Sequence, residues 1–268
     1  MKFGVTANPH ITDSLDATKR ILRFLEPTHE VALETEIAKD LGRTGVPLAH
    51  MKPDVTLAVG GDGTILRALQ LTDAPILGIN SGSLGFLAEV YAKDVETFLG
   101  RVVREDYKTE ERLRLKVTVD GKRLFDCLNE AVVHTAHVAK IRHFDVHLDG
   151  ASVTQVRADA VILATPTGST SYSMSVGGPI VDPRVDAIIL TTIAPFKPSC
   201  RPHVFPASSQ VSVKLVKPRE CVLVMDGQRE MPLQGTEEVL ATRSEHPARF
   251  IRFRDDFYKR FEEKISRQ

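Results

Sequence analysis

From Met1 to about Asp106, short apolar runs alternate with stretches of helical spacing, the rhythm of successive βα units. Residues 2–7 read as a first strand. Asp13 and Ser14 offer an N-cap to a helix whose Leu15, Leu22 and Leu25 recur at helical spacing and which Pro27 ends. Residues 31–33 form a second strand, and residues 54–59 a third that stops at Gly60-Gly61 and leads into a helix over 64–71. Residues 75–79 give a fourth strand and residues 94–103 a further helix.

From Glu111 the period changes to two. Leu113, Leu115, Val117 and Val119 alternate with Arg112, Arg114, Lys116 and Thr118 up to an Asp120-Gly121 turn. Phe144, Val146 and Leu148 repeat the pattern before Asp149-Gly150, and Val211, Val213 and Leu215 repeat it before Pro218. Strands with one wet face predict an antiparallel sheet or sandwich. Near the end, Phe257, Phe261 and Ile265 mark a helix too short to stand alone, expected to pack back on the first lobe. The predicted division is an α/β domain over 1–106 completed by a helix over 255–268, and a mostly β domain over 107–254.

Composition narrows the classes. The 268 residues are 42% hydrophobic, enough for two modest cores. Thirty-five Lys and Arg balance 35 Asp and Glu, so no global field points to nucleic acid or a membrane surface, and any anion site must be local. Three cysteines, Cys127, Cys200 and Cys221, show no disulfide or zinc spacing, which favours a reducing compartment. The histidines, His134 and His137 among them, have no metal-ligand spacing. No signal-peptide pattern opens the chain, and its apolar runs are strand-length, so a cytoplasmic location is expected.

Gly60-Gly61-Asp62-Gly63-Thr64 stands where a buried strand ends and a helix begins, the position at which α/β sheets bind phosphates. Glycines there let backbone N–H groups approach an anion, which makes Gly60, Gly61, Gly63 and Thr64 candidates for holding donor phosphates. Asp62 would repel a phosphate unless it had a chemical task, and accepting a proton from an attacking hydroxyl is such a task. A tight βα turn with an aspartate cap is the alternative. Neither a G-x-x-x-x-G-K-[ST] nor a G-x-G-x-x-G run is present.

The Gly-Gly-Asp-Gly-Thr loop resembles the signature shared by NAD kinases, diacylglycerol and sphingosine kinases and, with serine last, phosphofructokinases. Three further segments resemble NAD kinases specifically: residues 80–87 (NSGSLGFL), 129–133 (NEAVV) and 165–173 (TPTGSTSYS), the last running on to Gly177-Gly178-Pro179. The resemblance spans about residues 55–227. It implies a Rossmann-like N-terminal lobe of the phosphofructokinase and diacylglycerol kinase kind, a mostly antiparallel β-sandwich C-terminal lobe, and an active site in the crevice between them. The implied activity is phosphoryl transfer to the 2′-hydroxyl of the adenosine ribose of NAD, from ATP or polyphosphate with Mg²⁺, Asp62 acting as general base. No metal ligands are assigned.

Each remaining segment has two readings. Residues 165–175 concentrate hydroxyls that suit an oxygen-rich ligand or merely solvate a loop; Thr170, Ser171, Tyr172 and Ser175 are the candidates for NAD binding, with Tyr172 offering a ring face. Asn129 and Glu130, a polar pair in an otherwise apolar strand over 128–133, serve a structural network or a ligand. The resemblance implies that Asn129 meets the adenine and Glu130 the ribose hydroxyls, with Gly63 also near NAD. Asp159 and Arg157 read alone as surface ions on one strand face. The resemblance implies that Asp159 reaches the nicotinamide end of NAD from a neighbouring subunit, and hence a homodimer or homotetramer, where Arg157 and Asp159 together also bear on the choice between NAD and NADH. Asp226-Gly227-Gln228 reads as a turn and matches a family segment near the ligand. A lipid kinase sharing the glycine loop and a catalytically silent NAD-binding regulator are the alternatives.

Overall fold

A computed structural model describes residues 1–82, 85–197 and 199–265. The chain divides into two compact units, Met1–Glu111 with Ala248–Gln268, and Arg112–Pro247.

The first unit is built from β1 (Lys2–Ala7), α1 (Thr12–Leu25), β2 (Glu30–Leu33), α2 (Thr35–Asp40), β3 (Val55–Gly60), α3 (Asp62–Leu69), β4 (Ile76–Asn80), β5 (Val90–Tyr91), α4 (Val95–Val103) and β6 (Lys108–Arg112). Its sheet runs β2-β1-β3-β4, continues through a late strand at Ala248–Arg252 to β6, and carries β5 on β4. The pairs β1/β2, β1/β3, β3/β4 and β4/β5 are parallel. Phe3, Val5, Leu57, Val59, Leu77 and Ile79 alternate along their strands to fill one face of the sheet. There they meet Ile21 and Leu25 of α1 and Val95 and Leu99 of α4.

Several boundaries differ from the sequence reading. Helix α1 starts at Thr12 with Ile11 as its N-cap, because Ser14 is already inside and fully buried, its hydroxyl 2.6 Å from that of Ser81. Helix α3 starts at Asp62, two residues before the expected 64. The short α2 carries too few apolar residues to show a period. β6, expected in the β domain, joins the first sheet, and the chain returns to that sheet with a strand at Ala248 before any helix.

The second unit is a two-layer antiparallel sandwich. After β7 (Leu115–Val119) and β8 (Lys122–Arg123) come β9 (Glu130–Thr135), β10 (Arg142–Leu148), β11 (Ala151–Ala158), β12 (Ala160–Ala164), a 3₁₀ turn at Thr167–Thr170 and α5 (Tyr172–Ser175). Strands β13 (Ala187–Ile193), β14 (His203–Pro206), β15 (Val211–Leu215), β16 (Cys221–Met225), β17 (Arg229–Leu233) and β18 (Val239–Arg243) complete it. One sheet is ordered β11-β10-β15-β18-β7-β8, the other β14-β13-β12-β9-β16-β17. Inward residues of both, among them Val117, Phe144, Val213, Val133, Leu163 and Leu223, form one core. The second sheet also buries Val132, Ile162 and Ile189 on its outer face, so β12 is apolar at every position and shows no alternation.

The late strand of the first unit is β19 (Ala248–Arg252), parallel to β4, and α6 (Phe257–Ile265) follows. In α6, Phe261 stacks on Phe86 at 6.1 Å and Arg260 donates to the Ala88 carbonyl, so this helix packs on the segment after β4. Residues 266–268 of the expected helix, and the Ile265 side chain, lie outside the described residues. No helix among them is long and apolar enough to cross a membrane.

Candidate active site

Strands β2 and β3 lie on opposite sides of β1, so the connections that leave β1 and β3 part at the carboxyl ends of these two strands. Such a switch point is where open α/β sheets receive ligands. The glycine loop sits there, its base closed by the Asn8 N–H donating to the Val59 carbonyl at 3.0 Å. Gly60 has φ +153°, and a Cβ at that position would overlap the Thr64 hydroxyl. Only glycine suits this combination. Gly61 is the N-cap of α3 and Asp62 its first residue, which puts the carboxylate against the positive end of the helix. Gly63 is exposed and Thr64 buried.

The Asp62 carboxylate is held from outside its own helix. Oδ2 accepts the Phe86 N–H at 2.8 Å and Oδ1 the Leu87 N–H at 3.1 Å. Each oxygen keeps a second lone-pair direction, so the group is fixed in orientation and still able to accept a proton. Gly85 is buried beneath it, where a Cβ would overlap Oδ1. In the NSGSLGFL segment, Ser83 and Leu84 lie outside the described residues.

Helix α3 is also tied down behind the site. Arg67 donates to both Glu34 oxygens at 2.7 and 2.6 Å and to the Thr6 hydroxyl at 2.8 Å, while Thr6 donates to Glu34. Burial pushes the Glu34 carboxyl up, but these bonds outweigh it and hold the group below the usual carboxylate range.

In the second unit the polar pair stands at a strand start. Asn129 precedes β9 and Glu130 opens it, where the sequence reading had a strand from 128. Asp226, expected in a turn near the ligand, has an organising role that reading did not give it: its buried carboxylate accepts the backbone N–H groups of Leu128, Asn129 and Glu130 at 2.8, 2.7 and 3.1 Å. Its own N–H returns a bond to the Glu130 carbonyl at 2.9 Å. Asp226 and Gly227 both have positive φ in the β16–β17 hairpin. Asp-Gly in a hairpin is a turn signal, and its letters do not reveal a buried side chain.

Ser171 links the pair: the Asn129 amide donates to its hydroxyl at 3.4 Å, and the hydroxyl donates to Glu130 Oε1 at 3.3 Å. Glu130 Oε2 is buried with no hydrogen-bond partner among the described residues. Burial first, and then the Asp226 charge, push the Glu130 carboxyl up to about 8. Burial likewise raises Asp226, against the pull of its three amide donors. A buried carboxyl with an open oxygen suits a ligand hydroxyl.

The hydroxyl-rich run divides its labour. Thr165 donates to the Leu128 carbonyl at 2.5 Å and accepts the Gly168 N–H, and Ser169 both donates to and accepts from the Val181 backbone. Thr170 bonds the Thr167 carbonyl and is buried, and Ser175 bonds the Tyr172 carbonyl. Tyr172 is 42% exposed and presents its ring to solvent beside Ser171.

Asp159 is not on the Arg157 strand. It is half-buried between β11 and β12, where the chain passes from one sheet to the other, with its N–H on the Ile193 carbonyl and its carbonyl receiving the Thr135 N–H. Arg157 is exposed and stacks over Phe196 at 4.8 Å; among the described residues no ion pair links it to Asp159. Nor do those residues contain a cluster of three or more His, Cys, Asp or Glu able to hold a metal ion.

Residues 4–107 match the family described as the ATP-NAD kinase N-terminal domain, and residues 128–253 the ATP-NAD kinase C-terminal domain. An NAD kinase of Thermoplasma volcanium is 41% identical over 248 residues, 92% of this chain and 91% of that protein. One from Thermoplasma acidophilum is 39% identical over 99% of this chain and 98% of that protein. The structure is similar to that of an NAD kinase from Archaeoglobus fulgidus in complex with ATP, at TM-score 0.76 and 31% identity over 99% of this chain and 98% of that one. It also shares the fold of yeast NADH kinase complexed with NADH, at TM-score 0.88 and 24% identity over 99% of this chain and 87% of that one. The lipid-kinase alternative finds no support among these matches.

Proposed function

Because the chain belongs to the NAD kinase family, we propose that it transfers a phosphoryl group to the 2′-hydroxyl of the adenosine ribose of NAD, with Asp62 as the general base. The observation that carries the base assignment is the clasp on Asp62. A carboxylate aimed by two backbone N–H groups, next to a glycine loop at the switch point of the sheet, has the fixed geometry that proton abstraction needs. The glycine loop from Gly60 to Thr64, with Gly63 exposed at the N-terminus of α3, is the part of the chain suited to donor phosphates.

NAD recognition falls to the second unit in this reading. Glu130 Oε2 is an open acceptor or, when protonated, a donor for a ribose hydroxyl, Asn129 presents an amide to the adenine, and Tyr172 offers an exposed ring. Ser171 fixes the Asn129 and Glu130 side chains relative to one another. Thr170 and Ser175 shape the turn that carries Tyr172.

A Mg²⁺ ion bound with the donor phosphates would supply neutralisation of the charge that develops on the transferred group, and no side chain of this protein is assigned to it. ATP is the donor favoured by the family, and polyphosphate is the second candidate. A homodimer or homotetramer is expected, with Asp159 serving the nicotinamide half of NAD in a neighbouring subunit, and the reaction suits a cytoplasmic enzyme. Purified protein incubated with NAD, Mg²⁺ and ATP should yield NADP, read by an NADP-specific dehydrogenase. No NADP from ATP or polyphosphate would overturn the reading in favour of a silent NAD-binding regulator.

A further inference from the structure

Residues 85–89 belong to no helix or strand, yet Leu87 and Ala88 are buried, so the polar groups of this backbone need partners from elsewhere. The N–H groups of Phe86 and Leu87 go to the Asp62 carboxylate, and the Glu89 N–H goes to the Gly78 carbonyl on β4 at 2.9 Å. Two arginines from the C-terminal segment take the carbonyls. Arg252, the last residue of β19, donates from Nη1 to the Leu87 carbonyl at 2.9 Å across 165 positions of sequence, and Arg260 of α6 donates to the Ala88 carbonyl at 3.2 Å. The peptide group before Leu87 therefore closes on Asp62, and the peptide group after it is fixed by Arg252.

The Arg252 guanidinium is itself held from several sides. Its side chain is 5% exposed and lies over the ring of Phe250, its neighbour on the same face of β19, 4.7 Å from the centroid. Nε donates to Glu110 at 2.7 Å, and Nη1 donates also to Glu89 at 3.2 Å. Glu89 in turn receives Arg260 at 3.2 Å and the Phe253 N–H at 2.9 Å. Nη2 is buried without a hydrogen-bond partner among the described residues, so Nε and Nη1 carry the polar hold of this side chain. With its charge answered by two carboxylates, what Arg252 adds is the direction of its bond to Leu87.

We propose that Arg252 is a positioning residue for the phosphoryl transfer, fixing the Asp62 carboxylate through the backbone of Leu87. Its effect on turnover rests on the reading of Asp62 as the base, whereas its effect on the Phe86 and Leu87 N–H groups does not. Arg260 supports the same segment one peptide further on.

Arg252→Lys keeps the charge and loses the planar fork that reaches Glu110 and Leu87 together. Turnover in the coupled assay should fall on the order of tenfold or more with the NAD dissociation constant largely kept, and the backbone amide signals of Phe86 and Leu87 should move in ¹⁵N-labelled protein. In an Asp62→Ala background the same substitution should cost little further turnover, because no carboxylate is left to displace. Equal losses in both backgrounds would mean that Arg252 acts on the fold at large, and overturn the proposal. Normal turnover in Arg252→Lys beside an inactive Asp62→Asn also overturns it and leaves the base reading standing. Near-normal turnover in Asp62→Ala alone removes the base reading instead, and the amide signals then decide, movement supporting the positioning of Asp62 and stillness overturning it. Where Arg252→Lys does not fold, Arg260→Gln, at a half-buried helix position, takes its place. A smaller loss that vanishes in Asp62→Ala supports the proposal, and unchanged turnover with unmoved amides overturns it.

Discussion

The Asp226 carboxylate holds the Asn129 backbone N–H at 2.7 Å across the start of β9, and the same group accepts the N–H of each of Asn129's two neighbours. The turn that presents Asn129 and Glu130 is thus built from a buried charge 97 residues further along the chain. Replacing Asp226 by Ala strands three buried N–H groups, a loss of about 1–3 kcal/mol for each that finds no new acceptor. Asp226→Asn keeps one acceptor oxygen and should recover part of the loss. Denaturant titration of both variants checks this. An unchanged midpoint in Asp226→Ala would show that the amides are satisfied elsewhere.

Glu130 makes a pH prediction of definite sign. Its folded-state carboxyl is raised from 4.5 to about 8, so between those values the unfolded chain has lost a proton that the folded chain retains. Stability from this group is therefore highest at low pH and declines as pH rises from about 4.5 to 8. Glu130→Gln removes that decline. The difference between the two proteins' stability curves should grow in favour of the variant by a few kcal/mol, an order of magnitude set by burial. Parallel curves across that window would mean that Glu130 titrates as an ordinary carboxylate.

For Asp62 the expected loss is chemical. Asp62→Asn keeps the shape of the side chain and removes the proton acceptor, so turnover should fall by ~10²- to 10⁴-fold with the NAD dissociation constant largely kept. Near-normal turnover in the coupled assay would remove Asp62 from the base role.

How much of this was legible follows from what leaves a periodic trace. The alternation of Leu115, Val117 and Val119 announced a half-wet strand because one face of β7 meets solvent. The glycine loop announced itself because positive φ and close approach restrict the residue type at Gly60. Asn129 and Glu130 were visible as polar residues in an apolar run. The clasp on Asp62 was not, because it uses the backbone of Phe86 and Leu87, and backbone donors are the same in every sequence. Asp226 was hidden because a turn aspartate is ordinarily solvated, and its burial depends on a strand far away in sequence. The shared strand face expected of Arg157 and Asp159 failed for a related reason: two-residue spacing does not show that the chain changes sheets between them.

That change of sheets leaves Asp159 at a corner of the sandwich with its backbone fixed on both sides. If its carboxylate serves NAD held by another subunit, chains carrying Asp62→Asn and chains carrying Asp159→Ala should each be inactive alone. Dissociated and reassembled together, they should regain part of the activity, since some mixed sites then hold both native residues. No recovery in verified mixed oligomers would confine Asp159 to its own subunit or to no catalytic role.

Gly85 gives the sharpest test of the clasp itself. The nearest atoms to a side chain there belong to Asp62: a Cβ would overlap Oδ1 and come within 2.7 Å of Oδ2. The carboxylate cannot retreat along its helix, because Asp62 is the first residue of α3 and that helix is anchored through Arg67 to Glu34. Gly85→Ala should therefore push the carboxylate off the Phe86 and Leu87 N–H groups and reduce turnover by an amount approaching that of Asp62→Asn, on the order of 10²-fold or more. Two explanations of such a loss need separating, a displaced Asp62 and a damaged loop. In Asp62→Ala the space that the new Cβ requires is already vacant. Adding Gly85→Ala to Asp62→Ala should then cost little further activity, and the coupling between the two positions should nearly equal the whole effect of Gly85→Ala. Additive losses in that cycle would show that Gly85 acts on the loop and not through Asp62.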